Sequence, residues 1–163
     1  MKTPELIGQQ NPEEISSLLL HLSDGQLLVP VETLVEIVGL QIPVAVYDSP
    51  AWMLGEISWR DQRLPLISYE VMRGGNQPTL KSNCRIAVIA NAGDDSKLPF
   101  YAMVVQGTPR LVRVEESELV ARTNPCQQGE LVHVSVSGED AVIPDLPMLE
   151  QACAEWRRGT VLS

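Results

Sequence analysis

The sequence predicts an all-β, mainly β fold made of small curled sheets and closed by one C-terminal helix. Short runs of β-prone residues recur at near-regular spacing, separated by Gly-, Asp- and Ser-rich turn signals. The second strand of successive hairpins carries a proline soon after its turn or at its end, at Pro30, Pro65, Pro99 and Pro144. Proline has no backbone donor, so it belongs on the edges and corners of curled sheets. At 163 residues and 44% hydrophobic, the chain can bury one sizeable core or two small ones sharing an interface, and is too short for several independent domains.

In chain order, residues 1–16 are polar, hold two prolines and show no periodicity, so they are expected to form a flexible arm ahead of one domain over 17–158. Leu18 to Leu22 and Gln26 to Val31 flank Ser23-Asp24-Gly25, and a short Asp-Gly turn between β-prone runs is a hairpin signal. Val31 to Val38 mixes a helical stripe with β-branched residues, which a single helical turn running into a strand satisfies. Leu40 to Pro50, with two prolines, is an extended loop. Leu54 to Tyr69 forms the central hairpin, interrupted by Arg60-Asp61-Gln62-Arg63. Gly74-Gly75 and Pro78 make 71–82 a loop and the expected subdomain connection.

Cys84 to Ala90 and Phe100 to Val105 are two further strands, joined through Asn91 to Pro99. Leu111 to Val114 alternates as a short strand, and Glu115, Glu116 and Glu118 suit the start of a helical turn. Leu131 to Val136 and Ala141 to Ile143 form the last hairpin around Ser137-Gly138-Glu139-Asp140. Asp145 can cap a helix from Leu146 to about Arg158, with Pro147 in its first turn. Leu146, Leu149, Cys153 and Trp156 recur at helical spacing, so the helix should pack; 159–163 is a tail.

A net charge of -9 argues against the basic footprint that nucleic acid or anionic membranes require, so the expected partners are proteins. Residues 1–50 hold one lysine against seven carboxylates, and the arginines lie beyond them. Three widely spaced cysteines, Cys84, Cys126 and Cys153, fit neither a disulfide framework nor a zinc site. No secretory leader is evident at the N-terminus and no run approaches the roughly 20 apolar residues of a membrane span, which leads to an expected cytoplasmic location without direct membrane contact.

The central hairpin, with Gly55-Glu56-Ile57-Ser58-Trp59-Arg60-Asp61 followed by Pro65-Leu66-Ile67-Ser68-Tyr69, resembles the signature of the CheW-like family of chemotaxis coupling proteins. Gly55, Arg60 and Pro65 match the family pattern; Asp61 stands in place of a turn glycine and Ser68 in place of an Asp. Leu34-Val35-Glu36-Ile37, Gln41-Ile42-Pro43 and Asp48-Ser49-Pro50 are similar to the segments that precede this hairpin in the family, and the likeness runs from about Ser17 to Trp156. The resemblance implies two small five-stranded SH3-like β-barrels, intertwined and sharing a hydrophobic interface, with a C-terminal helix. It also implies a non-enzymatic adaptor without cofactor or metal, coupling the cytoplasmic tips of methyl-accepting chemoreceptors to the regulatory domain of a chemotaxis histidine kinase. The departures at Asp61, Ser68 and Gln106 look like those of accessory adaptors in chemosensory systems that control type IV pili and twitching motility.

No phosphate loop, nucleophile elbow or HExxH pair is present. His21 and His133 sit in strands without a positioned partner in the sequence and read as structural. The resemblance places Glu36 and Arg60 near each other beside the receptor-contacting surface. Arg60 is then either a contact residue, with Leu34 and Ile37 as apolar neighbours, or half of a salt bridge holding the turn. Trp and Arg dominate protein interfaces; Trp59 reads as core and Trp52 as a contact residue. The alternative is a small β-barrel that binds a ligand or nucleic acid without kinase coupling. Against it stand the acidic balance and the lack of interleaved aromatic and basic residues.

Overall fold

The computed structural model describes residues 14–91, 93, 98–115 and 119–162. The expected arm over 1–13, the tip of the Asn91 to Pro99 loop at 94–97 and the acidic turn at 116–118 lie outside the described residues. Strands β1 (Glu14–Leu22) and β2 (Gly25–Pro30) form the first hairpin, and a 3-10 turn (Val31–Thr33) leads into β3 (Leu34–Gly39). The central hairpin is β4 (Met53–Trp59) and β5 (Gln62–Ile67), followed by a one-turn helix α1 (Tyr69–Met72). Next come β6 (Cys84–Ala90), β7 (Phe100–Gln106), β8 (Arg110–Glu115), the two-residue β9 (Val120–Ala121), β10 (Glu130–Val136), β11 (Glu139–Pro144) and α2 (Leu146–Leu162).

The strands make two sheets. One has the order β8-β1-β2-β11-β10-β9 and the other β3-β6-β7-β5-β4. Most of the strands are buried on both faces, which explains runs such as Leu18-Leu19-Leu20. Leu18, Leu20, Leu27 and Val29 point into a core shared with Ile67, Ile89, Tyr101 and Met103 of the other sheet and with Leu149 and Cys153 of α2. Their neighbours Leu19 and Leu28 point the other way, into a core formed by the six-stranded sheet alone. Ile57, Trp59, Leu66, Ile86, Val88 and Val104 likewise fill a core belonging to the five-stranded sheet. A sheet that buries a face only against itself must curl over it, so each sheet wraps its own core while their opposite faces pack together. The all-β, two-barrel architecture and the packed C-terminal helix follow the expectation; the six-stranded sheet gains β9, a ladder only two residues long.

Four boundaries differ. β1 begins at Glu14, because Glu14, Ile15 and Ser16 pair with Glu115, Val114 and Arg113 of β8, so 14–16 are strand and not arm. The segment 71–82 begins within α1 and leads to β6, so it stays within one sheet; the chain passes between sheets at 30–34 and again at 107–109. Its glycines and proline mark a break in regular structure and carry no information about which sheet each neighbour joins. Residues 69–72 are helical where only strand and loop were expected, with the Ser68 hydroxyl accepting from the Val71 backbone N–H as an N-cap. Finally, α2 runs through the expected tail to Leu162. Asp145 caps it, its carboxylate accepting from Met148 N–H at 3.3 Å.

Gly55 is required by a close approach. Val44 donates to and accepts from Glu56 across the outer edge of β4, and a Cβ on Gly55, at φ 141°, would lie 2.5 Å from the Val44 carbonyl oxygen. The loop 40–50 thus covers an edge that would otherwise be open. Gly55→Ala combines a disfavoured φ with a backbone clash and is expected to cost about 3 kcal/mol, read as a lower urea midpoint at unchanged m-value.

Candidate functional site

The hairpin tip between β4 and β5 carries the site. Arg60 and Asp61 occupy the two turn positions at φ 47° and 61°, the left-handed pair that a two-residue hairpin loop needs. This geometry throws the Arg60 side chain back across the strand end, where its guanidinium carbon lies 4.5 Å from the centroid of Trp59. The guanidinium also donates to Glu36 on β3 at 2.9 Å, and the Trp59 indole N–H donates to the same carboxylate oxygen at 3.1 Å. Trp59 closes the five-stranded sheet's own core and meets Phe100 edge to face at 5.0 Å. A buried aromatic anchor therefore supports an exposed ion pair: the Arg60 side chain is 63% exposed and that of Glu36 40%. An ion pair this exposed contributes little to stability, and its value lies in holding the guanidinium in one place.

The five residues singled out from the sequence do not share one surface. Glu36 and Arg60 meet, but Leu34, Ile37 and Trp52 are partly buried and pack on the other face of the sheet, against the core shared with the six-stranded sheet. The cause is a bulge: Leu34 pairs with Ile89 and Glu36 with Val88, so β3 advances two residues while β6 advances one. Strict alternation would put Leu34 and Glu36 on one face; the bulge separates them. Trp59 is core, as its place in the motif suggests.

The exposed apolar side chains along this edge are instead Val35, Ile42 and Val44; Tyr47, 96% exposed, lies further along the loop, which runs antiparallel to β4 toward its Met53 end. Gln41 pins their loop by donating to the Ser58 carbonyl at 2.9 Å and accepting from its N–H at 3.3 Å. Nothing in the sequence marks these residues as surface, because the loop lacks periodicity and its attachment to β4 depends on a bridge far along the chain.

Asp61 keeps a left-handed backbone without being glycine, which costs an L-residue free energy even though Asp tolerates that region better than most. Asp61→Gly is expected to raise stability by about 0.5–1 kcal/mol in thermal or urea unfolding while leaving the Glu36–Arg60 pair in place.

His133 lies against Glu130, ring Nε2 to carboxylate at 2.9 Å, on the strand face away from the valines, in a packing role. Cys153 is fully buried, and burial pushes its thiol up to about 12, out of the range of a reactive thiolate. No group of three or more His, Cys, Asp or Glu side chains is arranged to hold a metal among the described residues. Among these residues no helix is long and apolar enough to cross a membrane.

The sequence profile of the CheW-like domain matches residues 16–151. The fold is similar to that of the crystal structure of scaffolding protein TtCheW from Thermoanaerobacter tengcongensis, with a TM-score of 0.68 at 12% identity over 81% of this chain and 89% of that one. No curated protein matches the sequence.

Proposed function

This chain belongs to the CheW-like domain family, and from that premise we propose that it is a non-enzymatic adaptor coupling chemoreceptors to a chemotaxis histidine kinase. One observation carries the reading: the Trp59-anchored Glu36–Arg60 pair, held at a hairpin tip on an edge that also exposes Val35, Ile42 and Val44. A positioned guanidinium next to apolar area is the composition of a protein-binding surface, where Arg is among the residues that contribute most. An aromatic anchor that fixes Arg60 before contact reduces the side-chain entropy lost on binding.

In this reading Arg60 and Glu36 touch the partner, while Leu34, Ile37 and Trp52 act from beneath by fixing the strand and lead-in that carry them. The partners are the cytoplasmic tips of methyl-accepting chemoreceptors and the regulatory domain of the kinase, and the site of action is the cytoplasm. Asp61, Ser68 and Gln106 favour an accessory role, in a system governing type IV pili and twitching motility.

The test is titration of the folded protein against a receptor cytoplasmic fragment and against the kinase regulatory domain from the same cell. Saturable binding that weakens in Arg60→Ala and in Ile42→Ser supports the adaptor; absence of binding to both partners overturns it.

A further inference from the structure

The one-turn helix α1 belongs by sequence to the five-stranded sheet, lying between β5 and β6, yet two of its side chains and that of its C-cap residue, Arg73, grip the other sheet. The Tyr69 hydroxyl donates to the Gly129 carbonyl at 2.7 Å in the buried interior. Glu70 accepts from both the backbone N–H and the hydroxyl of Ser23, at 3.1 and 2.8 Å. Arg73 donates to Glu130 at 3.0 Å and to Asp24, and lies over the Tyr69 ring with its guanidinium carbon 5.3 Å from the centroid. Ser23 and Asp24 form the β1–β2 turn, Gly129 precedes β10 and Glu130 opens it, so every one of these hydrogen bonds reaches from α1 or its cap to the six-stranded sheet.

We propose that α1 is a latch that sets the angle between the two sheets. The large interface they share is mainly apolar, and apolar contact is non-directional. Helix α2 adds the Tyr101–Glu150 hydrogen bond at 3.3 Å and that from Arg157 to the Arg63 carbonyl at 2.9 Å, and the denser set of directional contacts is the one made by α1 and its C-cap. Hydrogen bonds from an ionised donor are short and directional, and Arg73 offers two in the fixed fork of its guanidinium. The latch is also reachable from solvent. Arg73, Asp24, Gly75, Gln127, Glu130 and His133 line a cleft of about 370 Å³, so water can replace the Asp24 contact without either sheet unfolding. Release then leaves two intact sheets joined by the apolar interface and by α2, with a wider range of angles open to them. This holds whichever partners the protein has.

The test reads the angle directly. In a Cys126→Ser background, spin labels go on Ser58→Cys, at the exposed surface of β4, and on Ser137→Cys, in the exposed β10–β11 turn; the remaining cysteines are buried. Pulsed electron resonance should give one narrow distance distribution in the parent and a broadened or two-peaked one in Arg73→Met. Asp24→Ala with Tyr69→Phe opens two of the contacts and leaves Arg73 paired with Glu130, so it should broaden the distribution in the same sense even if Arg73→Met does not fold. Leu66→Ala, in the core that belongs to the five-stranded sheet alone, should lower stability and leave the distribution narrow. An unchanged distribution in the latch variants, or equal broadening in Leu66→Ala, overturns the proposal.

Discussion

Arg73→Met is expected to lower folding stability by about 3–5 kcal/mol, the usual cost of removing one partner from a buried ion pair. The methionine can fill much of the space of the aliphatic stem, so the loss is electrostatic in origin. The side chain of Arg73 is 11% exposed and that of Glu130 only 3%, and the Glu130 carboxylate would be left with His133 and the Gln127 backbone N–H. Glu130→Gln in the same background removes the stranded charge. The double variant should therefore be more stable than the sum of the single losses implies, with a coupling of about 1–3 kcal/mol in a double-mutant cycle by urea unfolding.

The pH dependence has a definite sign. Burial raises the Glu130 carboxyl, but the Gln127 N–H, His133 and Arg73 together outweigh it and hold the group below its ordinary value of 4.5. A depressed carboxyl contributes stability that is present above that ordinary value and is lost as pH falls through the lowered one. The gap between wild type and Arg73→Met should thus be full at neutral pH and narrow on acidification below about pH 4.5.

That so much rests on α1 shows what the sequence makes legible. The strands were readable because alternation and turn residues are local signals, and the Asp145-capped helix because its cap, proline and apolar spacing all fall within a few residues. A four-residue helix has no period to detect, and the glycines after it spoke only for a loop. Pairing is less local still. β2 joins β11 in parallel through the Leu27–Val142 pair, so the first hairpin belongs with the last one, and no pattern within either hairpin indicates it. The Glu36–Arg60 pair is legible through a family motif and Ile37 falls on the opposite face by plain alternation, while the bulge that separates Leu34 from Glu36 depends on the register of β6. The helix is expected to end at about Arg158, yet the backbone continues helical to Leu162.

Arg60→Ala is expected to weaken partner binding by at least about 30-fold, the effect of losing a hot-spot arginine worth some 2 kcal/mol or more, with little change in stability. The two outcomes separate because the ion pair is exposed: deleting it removes at most about 1 kcal/mol from folding, far less than the expected effect on a contact made by the guanidinium itself. Glu36→Gln distinguishes contact from positioning. The neutral amide can still accept from the Trp59 indole and from Arg60, so the guanidinium keeps its place over the ring while one charge disappears from the surface. If Glu36 acts only by orienting Arg60, Glu36→Gln should bind nearly as well as wild type and Glu36→Ala clearly worse. If its charge meets a cation on the partner, both should weaken binding alike, and the loss should shrink as salt is raised. A charge swap, Glu36→Arg with Arg60→Glu, rebuilds the pair with its polarity reversed. Folding should survive the swap: the bridge is retained, and the lost bond from the Trp59 indole N–H, which arginine cannot accept, costs about 1–3 kcal/mol. Binding should not, since a partner that reads Arg60 at the hairpin tip now meets a carboxylate in its place. Retained binding in the swap would mean that the pair serves the fold alone and that the contact surface lies elsewhere on the barrel.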